Sequence, residues 1–186
     1  MPRKPRLNVS LYDGIRRGSL ALILYSTFLG MSIESRGSIL YFIPLIISYV
    51  MLFLFAWLNR KSFSSLGEKY SLSVKLYSVL IVGLVLAFIS SVLVELEVYI
   101  NLFSIIELVG SLLILSYLFE YSLELVRLSD EFGSRGLKVS SIILAISIPV
   151  YLIFGVIPFA IVITVGGMYS YVEMTKIVNF YKREST

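Results

Sequence analysis

The chain has 186 residues, of which 58% are hydrophobic and only 15% are charged, and its formal net charge is +4. The apolar residues stand in long blocks rather than at amphipathic spacing, which is typical of membrane-crossing helices and excludes an ordinary soluble domain. Cysteine, histidine and glutamine are absent, which excludes disulfides, thiolate or imidazole metal ligands and Ser-His-Asp triads, so we predict no enzyme activity and no cofactor or metal.

Residues 1–18 are predicted to form a basic cytoplasmic tail. Leu7, Leu11 and Ile15 recur at helical spacing, which predicts a short interfacial helix on the inner membrane surface. Basic residues beside a span are selected by anionic lipid headgroups and by the insertion machinery. We therefore expect the lipid bilayer, and not a nucleic acid, as the partner of this tail.

Six apolar segments then follow, each close to the length of about 20 residues that a helix needs to cross about 30 Å of hydrocarbon. The longest uncharged stretch, Val139–Val172, is divided in two because Gly155 and Pro158 are typical of a tight turn followed by a helix start. Glycines inside the spans, among them Gly110, predict close helix packing. The sequence thus predicts a transmembrane domain over 19–178, with spans at 19–33, 39–58, 76–94, 100–119, 139–154 and 156–178, and a cytoplasmic tail over 179–186.

The basic residues give this all-α polytopic bundle an orientation. With six spans, fifteen of the sixteen Lys and Arg residues fall on one side, and only Arg36 falls on the other. Lys and Arg in short loops mark the cytoplasmic side. We therefore predict a multi-pass protein of the cell membrane, built as three hairpins, with both termini in the cytoplasm.

The three hairpins resemble one another at their cytoplasmic entry points. In each, a basic residue precedes a serine by three positions and an apolar span begins: Arg16 before Ser19, Lys75 before Ser78, and Lys138 before Ser141. A triplicated hairpin would have its symmetry axis along the membrane normal. A chance likeness between apolar segments is the alternative, since basic residues commonly precede spans.

Glu107 is the only carboxylate well inside a predicted span, and no basic residue lies at its depth. A charged group there costs about 2.5 to 3.5 kcal/mol on insertion scales, so such residues are hypotheses for function. Either Glu107 binds a proton or cation, with Ser111, Tyr151 and Tyr169 nearby, or it is a protonated structural group. In the structural alternative its carboxyl hydrogen-bonds to Ser111 or to Ser or Tyr on a neighbouring helix.

Charged residues also extend the inner ends of two helices, where pairs at i, i+3 and i, i+4 usually form a solvated ladder. This extension is the predicted docking surface for a cytoplasmic partner. Its residues are Glu120, Glu124, Arg127, Glu173 and Lys176.

The segments Leu11–Ser19 (LYDGIRRGS), Pro158–Ile161 (PFAI) and Val165–Gly167 (VGG) resemble those of small uncharacterised multipass membrane proteins of thermophilic archaea. The resemblance implies a fold layout and no function. The residues themselves favour a non-catalytic accessory subunit or scaffold that binds a membrane-protein partner or a second copy of the chain. The alternative is a small transporter or channel that uses Glu107, and it predicts a water-accessible cavity reaching this residue from one side.

Overall fold

The computed structural model describes residues 9–184, and over this range the chain is helical with no strand. The predicted all-α class and the number of six long helices are confirmed. Two short 3-10 helices, Ile39–Tyr41 and Glu68–Tyr70, precede the second and third long helices. The long helices are α1 (Val9–Glu34), α2 (Phe42–Leu66), α3 (Ser71–Glu95), α4 (Ile100–Phe132), α5 (Arg135–Phe154) and α6 (Val156–Glu184).

Consecutive helices pack antiparallel, and α6 returns to pack along α1, so that the six helices form a closed ring. The three predicted hairpins are α1 with α2, α3 with α4, and α5 with α6. We call the end of the ring that carries their three turns the hairpin end, and the opposite end, where α1 begins and α6 finishes, the terminal end. Gly14 of α1 lies against Ser62 of α2, and Gly18 against Asn59, as this antiparallel arrangement requires.

Five helical segments of the described chain are long and apolar enough to cross a membrane, which is compatible with a multi-pass membrane protein. The α1 helix is not among them, because its apolar part is confined to about 19–33 between Arg17 and Glu34. The five segments are Ile39–Leu66, Glu68–Glu95, Ile100–Phe132, Arg135–Phe154 and Val156–Arg183.

The separate interfacial helix predicted over 7–15 is wrong for its described part. Residues from Val9 onward continue without a break into the rest of α1, and Tyr12 and Ile15 are buried in the core. The reason is packing: Gly14 and Gly18 allow α2 to approach closely, which holds this turn of helix against the bundle instead of leaving it free. Leu7 lies outside the described residues.

The division of the last uncharged stretch into two helices is confirmed. Gly155 has φ +81°, a conformation that strains any residue with a side chain, and its N–H donates to the carbonyl of Tyr151 to close the C-terminus of α5. Pro158 lies in the first turn of α6, where it breaks no helical hydrogen bond. The two residues thus turn one apolar stretch into a hairpin.

The interior of the ring contains polar side chains among its apolar core residues, whereas the outer surface carries many large apolar groups. Buried serines occur on all six helices, whereas the outer surface carries side chains such as Ile105, Ile142 and Ile161, each more than half exposed. In water, an apolar outer surface would be unfavourable. In hydrocarbon it is favourable, and polar groups are buried because lipid cannot form hydrogen bonds with them. The apolar outer surface, like the helix lengths, is therefore compatible with a multi-pass membrane protein.

The predicted repeat is not visible in the positions of its matching serines. Ser19 and Ser141 are buried, whereas Ser78 is exposed. Equivalent serines thus occupy different environments in the three hairpins. The three-hairpin layout stands, and a triplication stays a prediction.

Candidate functional site

A cavity of about 60 Å³ lies inside the ring toward its hairpin end, and all six helices contribute to its wall. This volume exceeds the roughly 10–15 Å³ that one water molecule needs, so the cavity has room for a few waters or a small solute. Its apolar wall includes Ile114, Leu115 and Phe159. Its polar lining comprises Tyr25, Ser32, Arg36, Tyr41, Tyr49, Ser91, Glu107, Ser111 and Tyr151.

Glu107 is the central ionisable group of this cavity. It is half-buried, and the Ser91 hydroxyl of α3 donates a 2.7 Å hydrogen bond to its Oε1. The predicted neighbours Ser111 and Tyr151 line the same cavity, with Ser111 one turn further along α4. Ser91 was missed by sequence reasoning. The paired serines at 90 and 91 inside an apolar span were the available signal.

Arg36, exposed in the turn after α1, also lines the cavity, so a basic residue that the sequence had not placed near Glu107 shares this space with it. The turn that carries Arg36 is fixed to α3, because the N–H of Gly37 donates a 2.7 Å hydrogen bond to Oε1 of Glu95. The guanidinium lies near the hydroxyl of Tyr41 and forms no ion pair with Glu107. A cation and an anion therefore face one small space without neutralising each other directly.

The two tyrosines predicted near Glu107 lie in different environments. Tyr151 lines the cavity and packs edge-on against Phe159, with ring centroids 5.2 Å apart. Tyr169 does not reach the cavity: it is 48% exposed on the outer surface of α6. Ser170, the next residue, is fully buried, and a helix turns by about 100° per residue, so Tyr169 points away from the interior.

Below the cavity, the centre of the ring is filled by aromatic side chains. Phe55 packs edge-on against Tyr121, with ring centroids 4.8 Å apart, and against Tyr117 at 6.0 Å. The Tyr121 hydroxyl lies 3.2 Å from Ser19 Oγ, which is itself 2.7 Å from Ser170 Oγ, so α1, α4 and α6 meet there through hydroxyl groups. This aromatic layer closes the interior between the cavity and the terminal end.

Glu120 lies level with the aromatic layer, between Tyr117 and Tyr121 along α4, and Glu124 lies one turn further toward the terminal end. The prediction that they form a solvated docking surface is wrong. Their exposures are 3% and 0%. Glu124 Oε1 accepts hydrogen bonds from Ser73 Oγ and from Arg127 Nη1, both at 2.9 Å. The sequence misled because α4 continues for thirteen residues past its predicted span, from 120 to 132, and packs against α3 and the start of α5 over this extension.

The other two residues of the predicted docking surface lie together on α6. Glu173 packs against Gly136 of α5 and accepts hydrogen bonds from Ser134 Oγ and Lys176 Nζ. It therefore ties α6 to the N-terminus of α5, and its side chain is mostly covered. Lys176 remains exposed.

Within residues 9–184, no three His, Cys, Asp or Glu side chains are grouped in a way that could hold a metal ion. The glutamates of the interior are Glu107 in the cavity, Glu120 level with the aromatic layer, and Glu124 one turn beyond it. No protein-family model, curated protein or solved structure matches the chain, so its chemistry has to be argued from these groups alone.

Proposed function

We propose that this chain is a small membrane carrier whose solute site is the cavity at Glu107. The observation that carries the proposal is the placement of Glu107: a half-buried carboxylate on the wall of a polar cavity, within a ring of helices whose outer surface is apolar. A carboxylate kept only to stabilise packing would be enclosed by hydrogen-bond donors. Glu107 has one donor, Ser91, and otherwise adjoins the cavity space.

The lining favours a small solute with a cationic group. Glu107 supplies the negative charge for such a group, and the tyrosine and serine hydroxyls around it supply orienting hydrogen bonds. Arg36, which is not paired with Glu107, is available to an anionic group at the other end of a zwitterion. The small cavity restricts the solute to a few heavy atoms.

Transport also needs a route to the opposite face of the membrane. The aromatic layer of Phe55, Tyr117 and Tyr121 is the barrier between the cavity and the terminal end, so movement of this layer is the step that would open the second side. The positive charge of the chain orients the carrier: among the basic residues of the described range 9–184, Arg36 alone belongs to the hairpin end. We therefore propose that the terminal end faces the cytoplasm of the cell and that solute enters from outside.

Single-cysteine labelling tests the cavity directly, and the chain suits it because it has no native cysteine. We expect Ser111→Cys to react with Ag⁺ added from outside, a membrane-impermeant, thiol-reactive cation small enough for the cavity, and so to be protected from N-ethylmaleimide added after denaturation, since a thiol in a wet cavity is reached by the ion. Mass spectrometry of the full-length protein after labelling measures the fraction that N-ethylmaleimide modifies.

Leu112→Cys is the matched control, because Leu112 is the next residue of α4 and its 43%-exposed side chain faces outward from the bundle. In lipid its thiol stays protonated and should react at least about tenfold more slowly. A Ser111→Cys protein that Ag⁺ protects from neither side would remove the support for a wet cavity. Protection from the cytoplasmic side alone would reverse the proposed orientation.

The accessory-subunit hypothesis is the second candidate, and its specific support is a groove of about 430 Å³ on the outer surface between α4 and α5. Leu112, Phe119, Ile148 and Pro149 line this groove, which would accept an apolar helix of a membrane-protein partner or of a second copy as well as lipid. Purification from the native membrane with a partner in constant stoichiometry would favour this candidate.

A further inference from the structure

We propose that Glu120 and Glu124 form a proton-binding site in which the two carboxyl groups share one proton. The site lies at the terminal side of the bundle, beginning level with the aromatic layer at Glu120, and it does not depend on solute binding at Glu107.

Burial is the first observation. The two glutamates are one turn apart on the face of α4 that points into the ring, and they are almost completely buried. Residues four apart on a helix lie side by side, so the two carboxyl groups adjoin each other. Two carboxylates this close cannot both stay ionised away from water, because like charges repel strongly there and neither is solvated.

Charge provides the second observation. Arg127 is the cation at this place, and its Nη1 donates to Glu124 Oε1 and to the carbonyl of Lys69, at 2.9 and 3.0 Å. One guanidinium compensates one carboxylate, so a fully ionised pair would leave one negative charge buried. A single shared proton restores neutrality and supplies the O–H that the carboxyl-to-carboxylate contact requires.

Unpartnered polar atoms provide the third observation. Glu120 Oε1, Glu124 Oε2 and the Tyr117 hydroxyl are buried and have no hydrogen-bond partner within the described part of the chain. Tyr117 is 1% exposed and lies near both glutamates. Three such atoms grouped together are typical of a place where a proton or a water molecule is exchanged, because each is costly to bury unsatisfied.

The other groups facing the site come from α2, α3 and the loop between them. The α3 helix contributes Ser73, which donates to Glu124, and Tyr77, which lies near Tyr117. Arg60 of α2 stacks on the Tyr77 ring at 4.6 Å, and Tyr70, next to Lys69, donates its hydroxyl hydrogen to Glu131. Arg60 and Lys69 are engaged with aromatic rings and with Glu131, so within this set Arg127 is the cation bonded to the pair.

Infrared spectroscopy of the full-length protein in lipid nanodiscs tests the proposal. At neutral pH we expect a carbonyl stretch of a protonated carboxylic acid that disappears as the pH is raised. We expect this band to be lost in Glu120→Gln and equally in Glu124→Gln. Each variant keeps a single glutamate at the site, and the carboxylate of that glutamate can pair with Arg127 without a proton. Gln has the shape of a neutral glutamic acid, which favours folding of both variants.

Glu34→Gln, an exposed change at the hairpin end, is the control and should keep the band. Both variants are also measured in a Glu107→Gln background, so that a protonated Glu107 cannot contribute to the band. In that background, a band that persists in both variants would overturn the proposal, as would a band lost in Glu120→Gln but kept in Glu124→Gln, since that pattern describes an isolated neutral acid. If neither single variant folds, a wild-type protein without the band at neutral pH overturns the proposal on its own. Failure of cavity labelling at Ser111 leaves this result unaffected, so the two proposals fail separately.

Discussion

Replacing Glu107 by Gln is expected to lower uptake of a small cation at least tenfold. The carboxylate is the only anionic side chain among the cavity-lining residues, and a hydrogen bond to a charged group contributes about 1.5–3 kcal/mol, which corresponds to about 10- to 150-fold in affinity. Radiolabelled methylammonium is a suitable probe because it carries one positive charge on two heavy atoms. Its uptake into proteoliposomes that contain the purified protein gives the measurement.

Glu34→Gln is the matched control, since it removes the same charge from an exposed position at the same end of the bundle. Its uptake should equal that of the wild type, whereas a general surface-charge effect would lower both variants alike. Glu107→Gln protein that takes up methylammonium at the wild-type rate would argue against Glu107 as the binding group. Wild-type vesicles no faster than empty ones would exclude the proposed cationic class.

Replacing Gly110 by Ala is expected to cause the largest loss of stability among the glycine-to-alanine substitutions of this chain. Gly110 lies where α3 and α4 approach most closely, and an added Cβ would lie 2.6 Å from the Ala87 nitrogen and 2.8 Å from the Gly83 carbonyl oxygen. These are backbone atoms, so the helices must separate. Overpacking of this kind typically costs about 1–3 kcal/mol. Thermal unfolding in detergent, followed by circular dichroism, should show the midpoint lowered by several degrees.

Gly30→Ala in α1 is the control, because an added Cβ at this helical position meets no atom within 4 Å. Alanine stabilises a helix relative to glycine by about 0.5–1 kcal/mol, so the midpoint should stay the same or rise. Equal midpoints for Gly110→Ala and the wild type would mean that α3 and α4 are not held at this distance. Gly110 had been predicted from its place inside a span to serve close packing, and its contacts confirm that prediction.

The local sequence determined the helices and the turns between them. Apolar blocks of sufficient length produce six helices. Four of the five breaks carry a glycine with positive φ (Gly37, Gly67, Gly133 and Gly155), and the fifth, between α3 and α4, has Glu97 and Tyr99 at positive φ. The one-sided distribution of Lys and Arg likewise required no structure. These features depend on residues close in the chain, which is why length and turn chemistry predicted them. The cell-membrane orientation, and the resemblance to proteins of thermophilic archaea, stay predictions.

Only the tertiary structure decided which faces meet inside the ring. Helices such as α2 and α3 are apolar all round, so no amphipathic pattern shows which face turns inward, and an apolar solvent gives each face a similar free energy. Helix rotation is set instead by a few small and polar contacts between distant residues, such as Gly83 with Gly110 and Ser91 with Glu107.

Because such long-range contacts set the rotation of each helix, the positions of Arg36 and Ser91 beside Glu107 could not be predicted. For the same reason Tyr169 was wrongly expected to face inward. Glu120 and Glu124 were likewise expected in solvent: hydropathy placed the end of the span near 119, but the packing of α4 against α3 and α5 buries its extension. The sequence determined how many helices form and where the chain turns between them, because turns depend on local chemistry. The cavity and the carboxyl pair depended on long-range side-chain contacts that no local pattern encodes.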